Sequence, residues 1–366
     1  MGEKDSRPRR AYIDWARGIA VLLMIEAHTL DSWTRTADRG GIAFRDATVL
    51  GGFAAPLFLW LAGLAVVLAA TRTAERTGSR ATAATTICRR GVEIFILAFL
   101  FRLQAFIVSP GSHPVALFRV DILNVMGPAI AAAGVVWFAT STTARRVTWY
   151  AVLAIAVAMV TPLVRLAPVV DWLPLFVQWY IRPAGEYTTF TLFPWAGFVF
   201  AGGAVGALLA ASRDARAERR VHAALTVAGV ALVALGFYTA GRPSIYRAAS
   251  FWTSSPTWFA IRVGVMMLAL AVIYTLAALA DMAGLALGPL ERMGRSSLFV
   301  YWIHVELVYG YASWLWRHLL PLWGTAIAYV LFSVLIYRAI DWRDRIVGNR
   351  RARRGGQPPI GQPAPA

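Results

Sequence analysis

Apolar residues in this chain come in long unbroken runs, with polar residues gathered into short connections between them. A helix needs about 20 consecutive apolar residues to cross the hydrocarbon core of a bilayer. Ten stretches qualify, at approximately 15–34, 49–70, 88–108, 117–139, 147–164, 190–211, 221–240, 257–280, 296–316 and 321–340. The pattern predicts an all-α, polytopic integral membrane protein of about ten transmembrane helices in a single bundle. Residues 1–13 form a basic N-terminus, 14–345 the membrane domain, and 346–366 a tail. No period of 20–50 residues repeats, and no pair of broken helices marks two transporter-like halves, so one membrane domain is the simplest organisation. The basic start (Lys4, Arg7, Arg9, Arg10) feeds a span too long for a signal peptide and lacks a small-residue cleavage site. The first helix is expected to stay as a signal anchor.

Composition sharpens this. The chain is 58% hydrophobic and 15% charged, against about half and a quarter in a soluble domain, which excludes an ordinary cytosolic enzyme. Its 15 Trp, 12 Tyr and 19 Phe suit the aromatic belts of membrane interfaces. A net charge of +17 would suit nucleic-acid binding if it formed a patch, but it lies in clusters between the apolar runs. With the N-terminus inside, 24 Lys and Arg fall on inner segments and 8 on outer ones. That bias predicts a multi-pass protein of the cell membrane with both termini cytoplasmic and no nucleic-acid partner. The Arg-rich, then Pro/Gly-rich tail is expected to be disordered. One cysteine, Cys88, allows no intrachain disulfide, and no metal-ligand spacing occurs.

An ionisable side chain near mid-bilayer costs about 2.5–3.5 kcal/mol, so it usually faces a cavity or a partner. In the first helix Arg17 and His28 are eleven positions apart, which puts them on one face, roughly 16 Å apart along the axis. Asp14 and Asp31 fall near the same line, whereas Glu26 points away. This gives a carboxylate-guanidinium pair at the inner end and an imidazole-carboxylate pair, His28 and Asp31, at the outer end. A histidine oriented by a carboxylate is a minimal device for taking a proton from a hydroxyl or an amine; a polar helix contact is the plainer alternative. Arg102, Arg119, Asp121 and Arg262 lie in the outer half of their spans. If these helices converge on His28, the guanidinium groups would hold a phosphate or stabilise an oxyanion, with Arg102 the best placed; Arg119 and Arg262 are equally consistent with snorkelling to the interface. In the ninth span Ser297, Tyr301, His304, Val308 and Tyr311 share a stripe, which makes His304 a second inward-facing base or substrate contact. His113, His222 and His318 fall in expected loops and are read as solvated. The outer connections 165–189 and 241–256 carry Trp172, Trp179, Tyr180, Tyr187, Tyr246 and Trp252, suited either to stacking on sugar rings or to anchoring at the interface.

These residues resemble a known family. YIDWARGIAVLLMIEAH, with Asp14, Arg17-Gly18 and His28, is similar to the first helix of the heparan-alpha-glucosaminide N-acetyltransferase family and of the wider acyltransferase-3 superfamily. PLFLWLAGLAVVLA at 56–69, RRGVEIFILAFLFR at 89–102, FRVDILNVMGPAI at 118–130, FPWAGFVFAGGAVG at 193–206 and GRSSLFVYWIHVELVYG at 294–310 resemble later blocks in order. The resemblance implies transfer of an acyl group, usually acetyl from cytoplasmic acetyl-coenzyme A, to a hydroxyl or amino group of an extracytoplasmic glycan. It makes His28 the catalytic histidine and Arg17 the essential first-helix arginine. In the lysosomal branch the position of His28 is typically Asn and the histidine follows in the next loop; loop 32–48 here has none. The likeness is therefore closer to the acyltransferase-3 arrangement of a bacterial-type member, with N- and O-transfer both open.

Coenzyme A phosphates demand cations, and Arg17, Arg89 and Arg90 cluster near the inner face, with Arg292 and Arg295 as further candidates. The implied partners are the acyl-CoA donor, the glycan or similar acceptor and the bilayer, with a homodimer left open. The competing readings are a transporter or flippase for an anionic or lipid-linked substrate, binding through Arg102, Arg119 and Arg262, and a structural membrane subunit. The transporter reading does not account for Arg17 and His28 on one stripe.

Overall fold

The structure, a computed structural model, describes residues 10–108, 113–285 and 287–354. Its helices, in chain order, are α1 (Ala11–Trp33), α2 (Ile42–Gly51), α3 (Ala54–Thr77), α4 (Arg80–Val108), α5 (Ile122–Ala139), α6 (Thr143–Leu166), α7 (Leu175–Ile181), α8 (Leu192–Ala211), α9 (Ala215–Ala240), α10 (Pro256–Met282), α11 (Gly288–Arg295), α12 (Ser297–Tyr309) and α13 (Leu322–Arg354). Their starts follow local chemistry. Asp121 caps α5 in a box with Asn124, Thr142 caps α6, Asp214 caps α9, and Ser255 followed by Pro256 opens α10; each supplies an acceptor for a first-turn N–H that has no partner within its helix.

Each of the ten apolar stretches contains helix. Among the described residues eight helices are long and apolar enough to cross a membrane: the α2–α3 run, α4, α5, α6, α8, α9, α10 and α13. The remaining two stretches hold α1, which carries Asp14, Arg17, Glu26 and Asp31, and α12, which is 13 residues long. The protein is thus an all-α, polytopic membrane protein.

Several local expectations change. Helix α13 runs on to Arg354, so 346–354 of the expected disordered tail is helical; 355–366, and the basic residues Lys4, Arg7 and Arg9, lie outside the described residues. The inner connection before α4 shrinks to residues 78–79 because Arg72 and Arg76 extend α3 and Arg80, Arg89 and Arg90 belong to α4. His222 is not a solvated loop residue: it sits on α9, 4% exposed and stacked on Tyr274 at 3.9 Å. His113 accepts from Val115 N–H and caps a 3₁₀ turn. His318 takes a left-handed backbone (φ 58°) and is hydrogen-bonded to Arg39.

The helices group into two units. The first comprises residues 1–54 and 286–366, with α1 packed against α2, α11, α12 and α13. Helices α1 and α11 cross at backbone distance: a Cβ on Gly294 would stand 2.0 Å from the Asp14 carbonyl oxygen, and one on Gly18 2.2 Å from that of Leu290. At the other end of α1 the chain pairs briefly with the segment before α13, Arg35 N–H donating to Leu320 O (2.8 Å) and Leu320 N–H to Trp33 O (3.0 Å). These two clamps fix α1 along its length.

The second unit, residues 55–285, pairs α4 with α5, α6 with α8, and α9 with α10. Small residues permit the contacts, as expected where apolar burial gives helices no advantage over lipid. A Cβ on Gly91 would lie 2.6 Å from Gly127 O, and one on Gly229 2.9 Å from Gly264 O.

Candidate active site

The chemistry of the first unit centres on two histidines. His28, on α1, is half-buried; His304, on α12, is fully buried. His304 belongs to the buried face of α12 with Val300, Tyr301 and Val308. His28 Nδ1 and His304 Nε2 are 2.8 Å apart, and His304 Nδ1 lies 2.7 Å from Val300 O. A carbonyl only accepts, so His304 Nδ1 carries a proton and donates it. Neither the carbonyl nor the facing imidazole is anionic, so nothing at the two nitrogens favours a buried imidazolium, and the neutral ring keeps a lone pair on Nε2. His28 Nδ1 must then be the donor to that lone pair. The proton left to His28 is used at Nδ1, and its Nε2 is the basic nitrogen. Thus a backbone carbonyl sets the tautomer of both rings.

Asp31 has a different partner from the one expected. Tyr309 Oη donates to Asp31 Oδ2 at 2.9 Å, and the Tyr309 ring stands edge-on to His28 with centroids 5.5 Å apart. The carboxylate therefore orients a phenol beside the imidazole, while His304 takes the imidazole Nδ1. Arg39 joins this end: it donates to the Asp31 and Thr34 backbone carbonyls, approaches the Asp31 carboxylate at 3.9 Å, and bonds His318 Nδ1 at 2.8 Å. A guanidinium only donates, so His318 Nδ1 accepts. Tyr309 and Arg39 had no signature in the sequence, since Tyr309 lies off the His304 stripe and Arg39 in a loop.

At the opposite end of α1, Asp14 is buried and flanked by two cations, Arg17 Nη1 at 3.4 Å and Arg295 Nε at 3.7 Å. Arg295 also pairs with Glu291, and Arg292 with Asp341. Arg89 and Arg90 belong to the second unit, where they share Glu93 at 3.2 and 3.3 Å on an exposed helix face.

The other expected cations also belong to the second unit. Arg102 forms an ion pair with Asp121, both side chains less than one-fifth exposed. Asp121 also caps α5, and the Asn124 of its capping box donates to Tyr180 Oη at 3.2 Å. Burial pushes the Tyr180 phenol up, with the Asn124 hydrogen bond opposing it, so this hydroxyl stays neutral. Arg119 donates to Thr189 (2.9 Å), and Arg262, buried, lies over the Trp258 ring at 4.8 Å. Of the loop aromatics Trp179 is buried and stacked on Tyr187, whereas Trp172 is exposed. Among the described residues no group of three His, Cys, Asp or Glu is placed to hold a metal ion.

The fold is that of a polytopic membrane protein, and its first unit holds a tautomer-fixed imidazole pair between α1 and α12. The family model described as "Heparan-alpha-glucosaminide N-acetyltransferase, catalytic" matches residues 9–246. The match covers more than half of the chain, and the chain belongs to that family. It is a membrane acetyltransferase. A search of the curated proteins found no match. The matched segment holds Arg17 and His28 and ends before α10, so His304 and Tyr309 reach the site from sequence outside it.

Proposed function

We propose that this protein moves an acetyl group from acetyl-coenzyme A, entering where α1 begins, to a hydroxyl or amino group of a glycan-like acceptor presented where α1 ends. In our reading the first face is cytoplasmic and the second extracytoplasmic. The observation that carries it is the Val300–His304–His28 chain, which leaves a basic nitrogen on the helix that also bears Arg17. His28 Nε2 takes the acceptor's proton as its oxygen or nitrogen attacks the thioester carbonyl carbon. The tetrahedral intermediate collapses with loss of the coenzyme A thiolate, which recovers that proton. One C–S bond breaks and one C–O or C–N bond forms. The positive charge carried briefly by His28 is eased by its Nδ1–H bond to His304.

Arg17 and Arg295, at the other end of α1, are assigned to the donor's phosphates. A donor whose phosphates and thioester lie at opposite ends of a long pantetheine arm matches the roughly 16 Å between Arg17 and His28. The fixed imidazole and its closeness to the acyltransferase-3 pattern support transfer to oxygen as readily as to nitrogen. The test is release of free coenzyme A thiol from acetyl-coenzyme A by the purified protein in nanodiscs, with and without glycan acceptors. Acceptor-stimulated release that is lost in His28→Ala supports the proposal; release unaffected by that change refutes it.

A further inference from the structure

We infer that the second unit binds the phosphate of an anionic lipid headgroup between Arg80 and Arg146. Arg80 opens α4 and Arg146 lies in the first turn of α6, and both converge on the C-terminus of α5. Arg80 Nη2 donates to the carbonyls of Trp137 (3.3 Å), Phe138 (2.7 Å) and Thr140 (2.6 Å), and Arg146 Nε donates to the same Thr140 oxygen at 3.2 Å. Both guanidinium groups also face the buried Trp137 ring, at 5.5 and 4.5 Å.

Capping the helix does not account for two arginines. A helix C-terminus carries about half a negative charge, against two full positive charges here, and among the described residues neither arginine is in an ion pair. Arg80 already reaches three of the terminal carbonyls. Arg146 commits only Nε–H, which leaves the four N–H groups of its fork for an acceptor, and two parallel N–H bonds from such a fork match a phosphate. The two like charges share one carbonyl oxygen, so an anion between them relieves their repulsion as well.

The surroundings select a lipid as the source. The pair sits at the ends of three membrane-crossing helices, the level at which phospholipid headgroups lie. Beside it, Trp149 and Val152 lie one turn apart on an exposed stripe of α6, 54% and 46% exposed. An interfacial tryptophan above an apolar stripe is the surface along which an acyl chain would run.

The experiment compares the full-length protein in nanodiscs of phosphatidylcholine alone and of phosphatidylcholine mixed with phosphatidylglycerol. Native mass spectrometry counts retained lipid, and thermal melting reports the stabilisation. Wild type should retain phosphatidylglycerol preferentially, and Arg146→Gln should weaken that binding about fivefold. Arg145→Gln, an equal loss of charge on the exposed neighbour, should weaken it clearly less, through the diffuse surface field alone. If Arg146→Gln does not fold, Arg146→Lys decides, because it keeps the charge but loses the fork, and phosphatidylglycerol binding should still fall. Equal retention in wild type and the Arg146 variants would overturn the proposal, as would an equal loss in Arg145→Gln. Displacement of the lipid by excess inorganic phosphate would assign the pair to a free anion and overturn the lipid source.

Discussion

The rings of His28 and His304, 276 residues apart in sequence, lie parallel to within 4°, linked Nδ1 to Nε2 at 2.8 Å. Because His304 is itself fixed by the Val300 carbonyl, the pair has one neutral arrangement, with the base at His28 Nε2. His28→Ala should lower acceptor-dependent acetyl transfer by about 10²–10⁴, the range of a positioned general base. His304→Ala keeps the base but frees its tautomer, and should cost about 10–100-fold, the scale of outer partners that orient an imidazole. Turnover under saturating acetyl-coenzyme A checks both. If His304→Ala were inactive while His28→Ala still turned over, the base would be His304.

Asp31 and Tyr309 should act as one element. With the Tyr309 hydroxyl held on the carboxylate, Asp31→Asn and Tyr309→Phe each loosen the same phenol beside His28. The double variant should therefore lose no more activity than the worse single one. A double-variant loss equal to the product of the single losses would show that the two residues act independently.

Much of the fold was legible in the apolar runs, because membrane-crossing length and composition are local properties. The shortening of the ninth stretch was not: 296–316 is long enough to cross a membrane and mostly apolar, yet the helix stops at Tyr309, before Gly310, and turns into a 3₁₀ segment at Tyr311–Trp316. At the site, helical periodicity could place His304 on an inward stripe and Arg17 with His28 on one face. It could not supply the register between α1 and α12, which alone decides whether His28 meets Asp31, three residues on, or His304, 276 residues on. The same gap hid the partner of Arg102. Arg102 lies on α4 and Asp121 caps α5, 19 residues on, and spacing alone does not fix how α4 packs on α5. By contrast, Arg89 and Arg90 with Glu93 are neighbours on one helical face, and that pairing follows from spacing alone.

The α1–α11 crossing should be intolerant of a single methyl group. A Cβ on Gly294 would meet the Asp14 carbonyl at 2.0 Å, and a helix backbone oxygen cannot turn aside as a side-chain tip can. Gly294→Ala should destabilise the first unit by about 1–3 kcal/mol, seen as a lower Tm in detergent. Because the contact adjoins Asp14 and Arg17, it should also weaken acetyl-coenzyme A binding. An unchanged Tm would mean that the helices are not in backbone contact.

Charge distribution predicts the orientation. Of the Lys and Arg assigned to connections, 24 lie on one side and 8 on the other, so both termini should be cytoplasmic. In a Cys88→Ala background, Gly40→Cys should react with an impermeant thiol reagent from outside intact cells, and Arg213→Cys only after permeabilisation. Both positions are exposed. The reverse pattern would invert the faces assigned to donor and acceptor.

Asp38 gives the outer clamp on α1 a pH dependence. Its carboxylate accepts from the Leu322 backbone N–H at the start of α13 (2.8 Å) and from Arg35 Nε (3.0 Å). The Leu322 hydrogen bond, aided by Arg35, holds the carboxyl below its ordinary value of 3.8. A carboxyl whose folded value is depressed binds its proton more readily when unfolded. Its contribution is therefore fully present above 3.8 and is lost as pH falls below that value through the lower folded one. Asp38→Asn keeps a weaker acceptor for Leu322 and cannot titrate in this range. The Tm of wild type should exceed that of the variant at neutral pH, and the gap should close as the pH is lowered below 3.8. A gap that stays constant through that window would mean that the ionised Asp38 carboxylate does not hold the start of α13 to the loop after α1.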